Sequence, residues 1–148
     1  MVILVGCSHR LGGEKQELIE SADSLYRAGE YSAAVTPAMQ LLELAREDGD
    51  HYLCGQAEDL LADIIAATYG GHEVVEHRLN AADHYLQADS VRAHRYALLD
   101  VAIAHANNDS LRLGMFLLDS IRSIAGSDSA LTANCLRASM RITARLDG

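Results

Sequence analysis

Apolar residues recur through most of this chain at intervals of three and four, and glycines or Asn/Asp clusters interrupt them at regular distances. That period belongs to amphipathic helices joined by short turns. The stretch 14–29 carries Leu18, Ala22, Leu25 and Ala28 on one stripe and ends at Gly29. In 30–50 the stripe is Ala34, Ala38, Leu41 and Ala45, closed by Gly49-Asp50; Pro37 either kinks this helix or marks its true start, with Thr36 as cap. The strongly apolar 52–70 ends at Gly70-Gly71, and 72–88 places Val75, Leu79, Ala82 and Leu86 in step. Two more helices over 90–109 and 110–126 are divided by Asn107-Asn108-Asp109, and the last, 127–146, aligns Leu131, Cys135, Ala138 and Ile142. The pattern predicts about seven helices in antiparallel hairpins with short connections.

Composition sharpens the fold class. Hydrophobic residues make up 49%, aromatics only 5%, and there is no Trp, one Phe and one Pro. A core of Leu, Ala, Ile and Val with almost no Pro suits close helix packing, so the chain is expected to be all-α. Its 148 residues suffice for one domain with a core. The charge of −9 is concentrated in residues 1–63, which hold 12 acids and 4 bases. Phosphate would be repelled there, which argues against nucleic acid as a partner. Cys7, Cys54 and Cys135 form neither a CxxC pair nor a zinc spacing, and their odd count excludes a fully paired disulfide framework. No apolar run reaches the length of about 18 residues that a membrane span needs.

The hairpins repeat. "ADSLYRAGEYSAAVTPAMQLL", "LADIIAATYGGHEVVEHRLNAA" and "LLDVAIAHANNDSLRLGMFLL" align so that Ala22, Ala62 and Leu99 coincide, each followed by an aspartate. Asp23, Asp63 and Asp100 thus stand 40 and 37 residues apart, a solenoid period. In each second helix Ala34, Val75 and Leu111 coincide, then Ala38, Leu79 and Met115, then Leu41, Ala82 and Leu118. The first hairpin, with its small residue, aromatic, Gly-x-Tyr turn and following Ala in "ADSLYRAGEYSAA", resembles the tetratricopeptide repeat family. The later periods exceed the usual length of about 34 residues, and the third hairpin has "NND" in place of Gly-x-Tyr. Degenerate repeats with "ADSL" and "DSLR" runs resemble those of Bacteroidetes envelope proteins. The resemblance implies an α-solenoid over about residues 15–146 and a role in binding proteins or peptides.

The start adds a location. "LVGC", Leu4 to Cys7, matches a bacterial lipobox, with Cys7 as the lipidated residue. Residues 1–14 are then an apolar start and a Gly-Gly linker, and 15–148 the repeat domain. A positively charged n-region is missing, so this reading requires a start upstream of Met1. The expectation is a lipid-anchored domain at the cell envelope, whose only membrane contact is that anchor; the alternative is a cytoplasmic repeat protein.

Catalytic motifs are sparse. "HEVVEH" fails as a zinc-protease motif because His72 and His77 are five apart, where HExxH needs four to bring both ligands to one helix face. A metal-dependent enzyme using His72, His77 and His84 is the competing class. Arg137, Arg141 and Arg145 form one basic stripe on the last helix, read as a solvated outer face.

In the resembling family the first helix of each hairpin lines a concave groove. Carried over by register, the groove comprises Gln16, Ile19, Asp23 and Tyr26, then Gln56, Asp59, Asp63 and Ala66, then Ala93, Tyr96, Asp100 and Ile103. A row of carboxylates there suits backbone N–H groups or basic side chains of a bound segment. Because exposed carboxylates contribute little to stability, replacing Asp23, Asp63 and Asp100 together is expected to leave folding nearly intact. The reading is a non-catalytic protein- or peptide-binding module without cofactor, a scaffold at the envelope; the alternative is the sensory part of a larger membrane-bound transcriptional regulator.

Overall fold

The structure, a computed structural model, describes the backbone of residues 4–148 and the side chains of residues 12–148. Among these residues the chain is all-α, with seven helices: α1 (Leu4–Arg27), α2 (Tyr31–Glu47), α3 (His51–Thr68), α4 (His72–Gln87), α5 (Val91–Asn107), α6 (Leu111–Ile124) and α7 (Ser129–Leu146). Each helix packs on the next, and α5 also touches α7. That succession is a chain of stacked hairpins, in which most contacts are between neighbours. None of the described helices is long and apolar enough to cross a membrane.

The helix ends explain the regularity. At the close of α1, α2, α4 and α5 an amide donates five residues back: Glu30 to Leu25, Asp50 to Ala45, Ser90 to Tyr85 and Ser110 to His105. This closure needs one residue with positive φ. Gly29 and Gly49 supply it at the first two turns, while Asp89 (φ 54°) and Asp109 (φ 61°) do so at the later ones. Aspartate tolerates that conformation better than most side chains, which is why "NND" stands where the first hairpin has glycine. Asp50 and Asp128 cap α3 and α7 by accepting the amides of Leu53 and Leu131, at 3.0 and 2.9 Å.

Three local expectations change. Pro37 does not start a helix, because α2 begins at Tyr31 and carries the buried Pro37 inside it. Gly12 and Gly13 are helical and belong to α1 rather than to a linker. On α4, Leu79 and Leu86 are 47% and 53% exposed instead of sharing the inward stripe with Val75 and Ala82. The neighbouring His77 and Arg78 turn inward instead, because α3 offers them carboxylates. The Cys7 side chain lies outside the described residues.

Small side chains set the helix spacing. Ala22, Ala34, Ala38, Ala45, Ala57 and Ala62 are all fully buried. A Cβ on Gly114 would lie 2.8 Å from the Ala102 carbonyl oxygen and 3.0 Å from Ala106 Cβ, so α5 and α6 approach at a distance only glycine permits. One on Gly55 would lie 2.7 Å from the Tyr85 ring, which occupies that space between α3 and α4. The apolar core divides accordingly. One cluster joins α1, α2 and α3 around Leu41 and Leu61, and another joins α5, α6 and α7 around Leu118 and Leu131. Smaller clusters of α3, α4 and α5 residues link them.

Candidate functional site

Two of the predicted groove aspartates bind one arginine that the repeat pattern did not single out, and the charge of a third acts on it. From α4, Arg78 Nη1 donates to Asp59 Oδ1 at 2.8 Å and Nη2 donates to Asp63 Oδ1. Asp100 on α5 makes no bond to this guanidinium but feels its charge together with those of Asp59 and Asp63. Arg78 is largely buried, with its side chain 14% exposed, and these carboxylates hold it charged against the cost of burial. Tyr85 completes the cluster by donating its hydroxyl to Asp59 Oδ2 at 2.9 Å. Burial, then the Asp59 charge and this bond, push the Tyr85 phenol upward. Two carboxylates bind one cation and a third acts on it through its charge, so the cluster carries an excess of negative charge.

Asp23 does not share Arg78; it pairs with Arg27 one turn along α1, at 3.0 Å. Tyr26 lies closer to the cluster. Burial raises its phenol first, and the Asp63 charge adds to it. Of the remaining groove residues, Gln16 is exposed and donates to Glu20, Ile19 packs on the first core, and Gln56 is exposed. Tyr96 lies one helical turn before Asp100 and, with Tyr52, Ser90, Arg92 and Ala93, lines a surface cavity of about 400 Å³. The Arg92 guanidinium lies 5.4 Å from the Tyr96 ring centre, and Tyr52 meets Tyr85 edge-on at 5.3 Å. Ile103 lines a second cavity, of about 240 Å³, with Arg141 and Arg145 of α7. Arg145 also donates to the Ala106 carbonyl at 2.9 Å, so the basic stripe partly braces the end of α5.

Another polar set lies between α3 and the helices flanking it. Glu58 is 1% exposed and accepts from Arg46 of α2 at 3.0 Å, and its other oxygen meets His77 Nδ1 of α4 at 2.6 Å. A buried carboxylate is tolerated because both oxygens are engaged. Two turns along the same seam, His84 Nδ1 stands 3.4 Å from His51 Nδ1. His72 is elsewhere, 3.8 Å from Glu76. The structure therefore separates His72, His77 and His84, and no group of three or more His, Cys, Asp or Glu suited to a metal occurs among the described residues.

Sequence reasoning missed Arg78 and Glu58. Glu58 had a readable signal, since it shares a helical stripe with Cys54, Leu61 and Ile65, all buried. A lone acid on such a stripe demands partners. Arg78 carried no comparable signal, because the adjacent Leu79 fits the apolar period better.

Asp100 gives this site a pH dependence. Burial raises its pKa from 3.8 to about 6, with Asp59 and Asp63 adding to the rise and Arg78 opposing it. The folded chain therefore binds a proton more tightly than the unfolded one, and stability from this group, present below about pH 4, is lost as pH rises through 6. Asp100→Asn is expected to stabilise the fold by about 2 kcal/mol at pH 7.5 and hardly at all at pH 4. Urea unfolding at both pH values measures this; destabilisation at pH 7.5 would mean that Arg78 holds the ionised form. No known protein family, curated protein or solved structure matches the chain.

Proposed function

We propose that this chain is a non-catalytic binding module of tetratricopeptide type that holds an extended, basic segment of a partner protein against α1, α3 and α5. The observation that supports it is the surplus of carboxylate around Arg78: Asp59 and Asp63 share its single guanidinium, the charge of Asp100 acts on the same cluster without a bond to it, and Asp63 keeps about half its side chain exposed. A lysine or arginine of a partner supplies the missing positive charge. Tyr26, Tyr52 and Tyr96 beside the cluster offer amphipathic contact area of the kind that anchors bound segments.

Binding of a cation favours ionised Asp100, so affinity for a basic peptide should rise with pH through about 6. The test is fluorescence anisotropy with a labelled Lys-rich peptide and a Glu-rich peptide of equal length. The basic peptide is expected to bind, to weaken with salt, and to weaken further in Asp63→Asn. Equal binding of both peptides, or of neither, sinks the reading. The triple replacement of Asp23, Asp63 and Asp100 is no longer a neutral control, because Asp63 holds Arg78.

An envelope scaffold is the setting we favour, and it rests on Leu4–Cys7 alone. Mass spectrometry of the protein from native membranes tests it: a diacylglyceryl group on Cys7 supports the anchor, and a free Cys7 thiol removes it.

A further inference from the structure

We propose that α7 of one copy docks head to tail on the groove between α1 and α2 of a second copy, setting an arginine ladder against a glutamate ladder. The charge of the chain is polarised along the stack. Residues 14–48 hold eight acids and three bases, whereas residues 110–148 hold five bases and three acids. Among the described residues α1 and α7 are the two ends of the row of helices, since α1 packs on α2, and α7 on α6 and α5. Opposite charges therefore stand at opposite ends, where a second copy can meet them.

The two ends also match in their apolar pattern. On α7 Arg137, Arg141 and Arg145 are exposed and recur every fourth residue, a step of about 6 Å. Leu136 and Met140 precede the first two and lie about 100° around the helix, so an exposed apolar row runs beside the basic one. Met140 is 72% exposed. At the other end Glu14 of α1 and Gln40, Glu43 and Glu47 of α2 line a groove of about 190 Å³ together with the half-buried Leu18 and Leu44. Glu43 and Glu47 are exposed and have the same four-residue step as the arginines. Glu47 stands in the last turn of α2, where the macrodipole disfavours an acid, so helix stability does not explain it. Seating Met140 against Leu18 and Leu44 brings Arg137 and Arg141 opposite Glu43 and Glu47 and removes apolar surface of both copies from water. An isologous contact of α7 with α7 would instead set arginine against arginine. Because the two surfaces differ, a pair leaves one of each uncovered, and copies continue as a row or close into a ring. The contact uses neither Asp59 nor Asp63, so it does not depend on the groove binding a peptide.

Sedimentation velocity of the full chain with reductant present, over a concentration series at about 10 mM and about 300 mM salt, tests it. The parent is expected to associate at low salt, its mean mass rising with concentration, and to associate at least tenfold more weakly at high salt. Arg137→Glu with Arg141→Glu, and separately Glu43→Arg with Glu47→Arg, should each stay monomeric at low salt. An equimolar mixture of the two variants should associate again, because each reversed ladder then meets its opposite. If circular dichroism shows either double variant unfolded, Arg141→Glu and Glu43→Arg alone take their places and are mixed in the same way. A parent that stays monomeric at low salt overturns the contact and leaves this face of α7 to another partner. Parent-like association of the chain carrying Glu43→Arg and Glu47→Arg means a contact of α7 with α7 and overturns it too, as does a mixture that stays monomeric.

Discussion

Replacing Arg78 with methionine is expected to cost about 3 kcal/mol of stability at pH 7.5, one of the two largest losses any single substitution outside the turns should produce. Methionine keeps much of the apolar stem but removes the cation that, among the described residues, is bonded to both Asp59 and Asp63. Three carboxylates would then share a half-buried pocket without compensation, and each would favour protonation. The deficit should therefore shrink towards pH 5, as those groups take up protons more readily in the folded chain than in the unfolded one. Denaturant unfolding at pH 5 and 7.5 separates this from a packing effect. An equal deficit at both values would mean that Arg78 contributes through its stem, and the electrostatic account would fall. Arg78→Lys is a useful companion, because a lysine cannot span both aspartates in the forked geometry of a guanidinium.

Leu131→Ala should be at least as damaging, by about 3–5 kcal/mol, but its effect should stay local. Leu131 is fully buried at the start of α7, packed with Leu118, Ile121 and Cys135. Removing its side chain leaves a cavity where three helices meet. The core around Leu41 and Leu61 shares no residue with this one, and α4 stands between them. In a chain of stacked hairpins stability is close to a sum of nearest-neighbour terms. Hydrogen exchange should accordingly accelerate in α6 and α7 while amides of α2 and α3 keep their protection. Uniform loss of protection would show that the seven helices unfold as one unit.

These two substitutions mark the division between what the sequence reveals and what it conceals. Leu131 was legible: it heads an apolar stripe of period 3.6, and the last helix buries Leu131, Cys135, Ala138 and Ile142 as that stripe requires. The same holds for the turns after α1 and α2, where Gly29 and Gly49 mark the positive φ that ends each helix. All-α class, helix number and hairpin order follow from such local periodicity, since side-chain burial on a helix obeys a fixed angular repeat. Asp23, Asp63 and Asp100 were also legible as a recurring position, and Asp59 as a groove residue one turn before Asp63.

Tertiary structure alone decided what those positions do. The aspartates looked like a row of independent surface charges, yet Asp59 and Asp63 converge on Arg78, Asp100 is buried within reach of their charges, and Asp23 turns to Arg27. The inward face of α4 was misjudged for the same reason. Periodicity ranks Leu79 above His77 and Arg78, but it cannot register that α3 presents Glu58, Asp59 and Asp63 across the seam. The His51–His84 approach joins residues 33 apart in the chain and has no local signature. An apolar residue gains by leaving water whatever its neighbour, so its burial can be read one helix at a time. A charged or coordinating group gains only from a particular partner at a particular distance, and that partner is known only once the helices have packed.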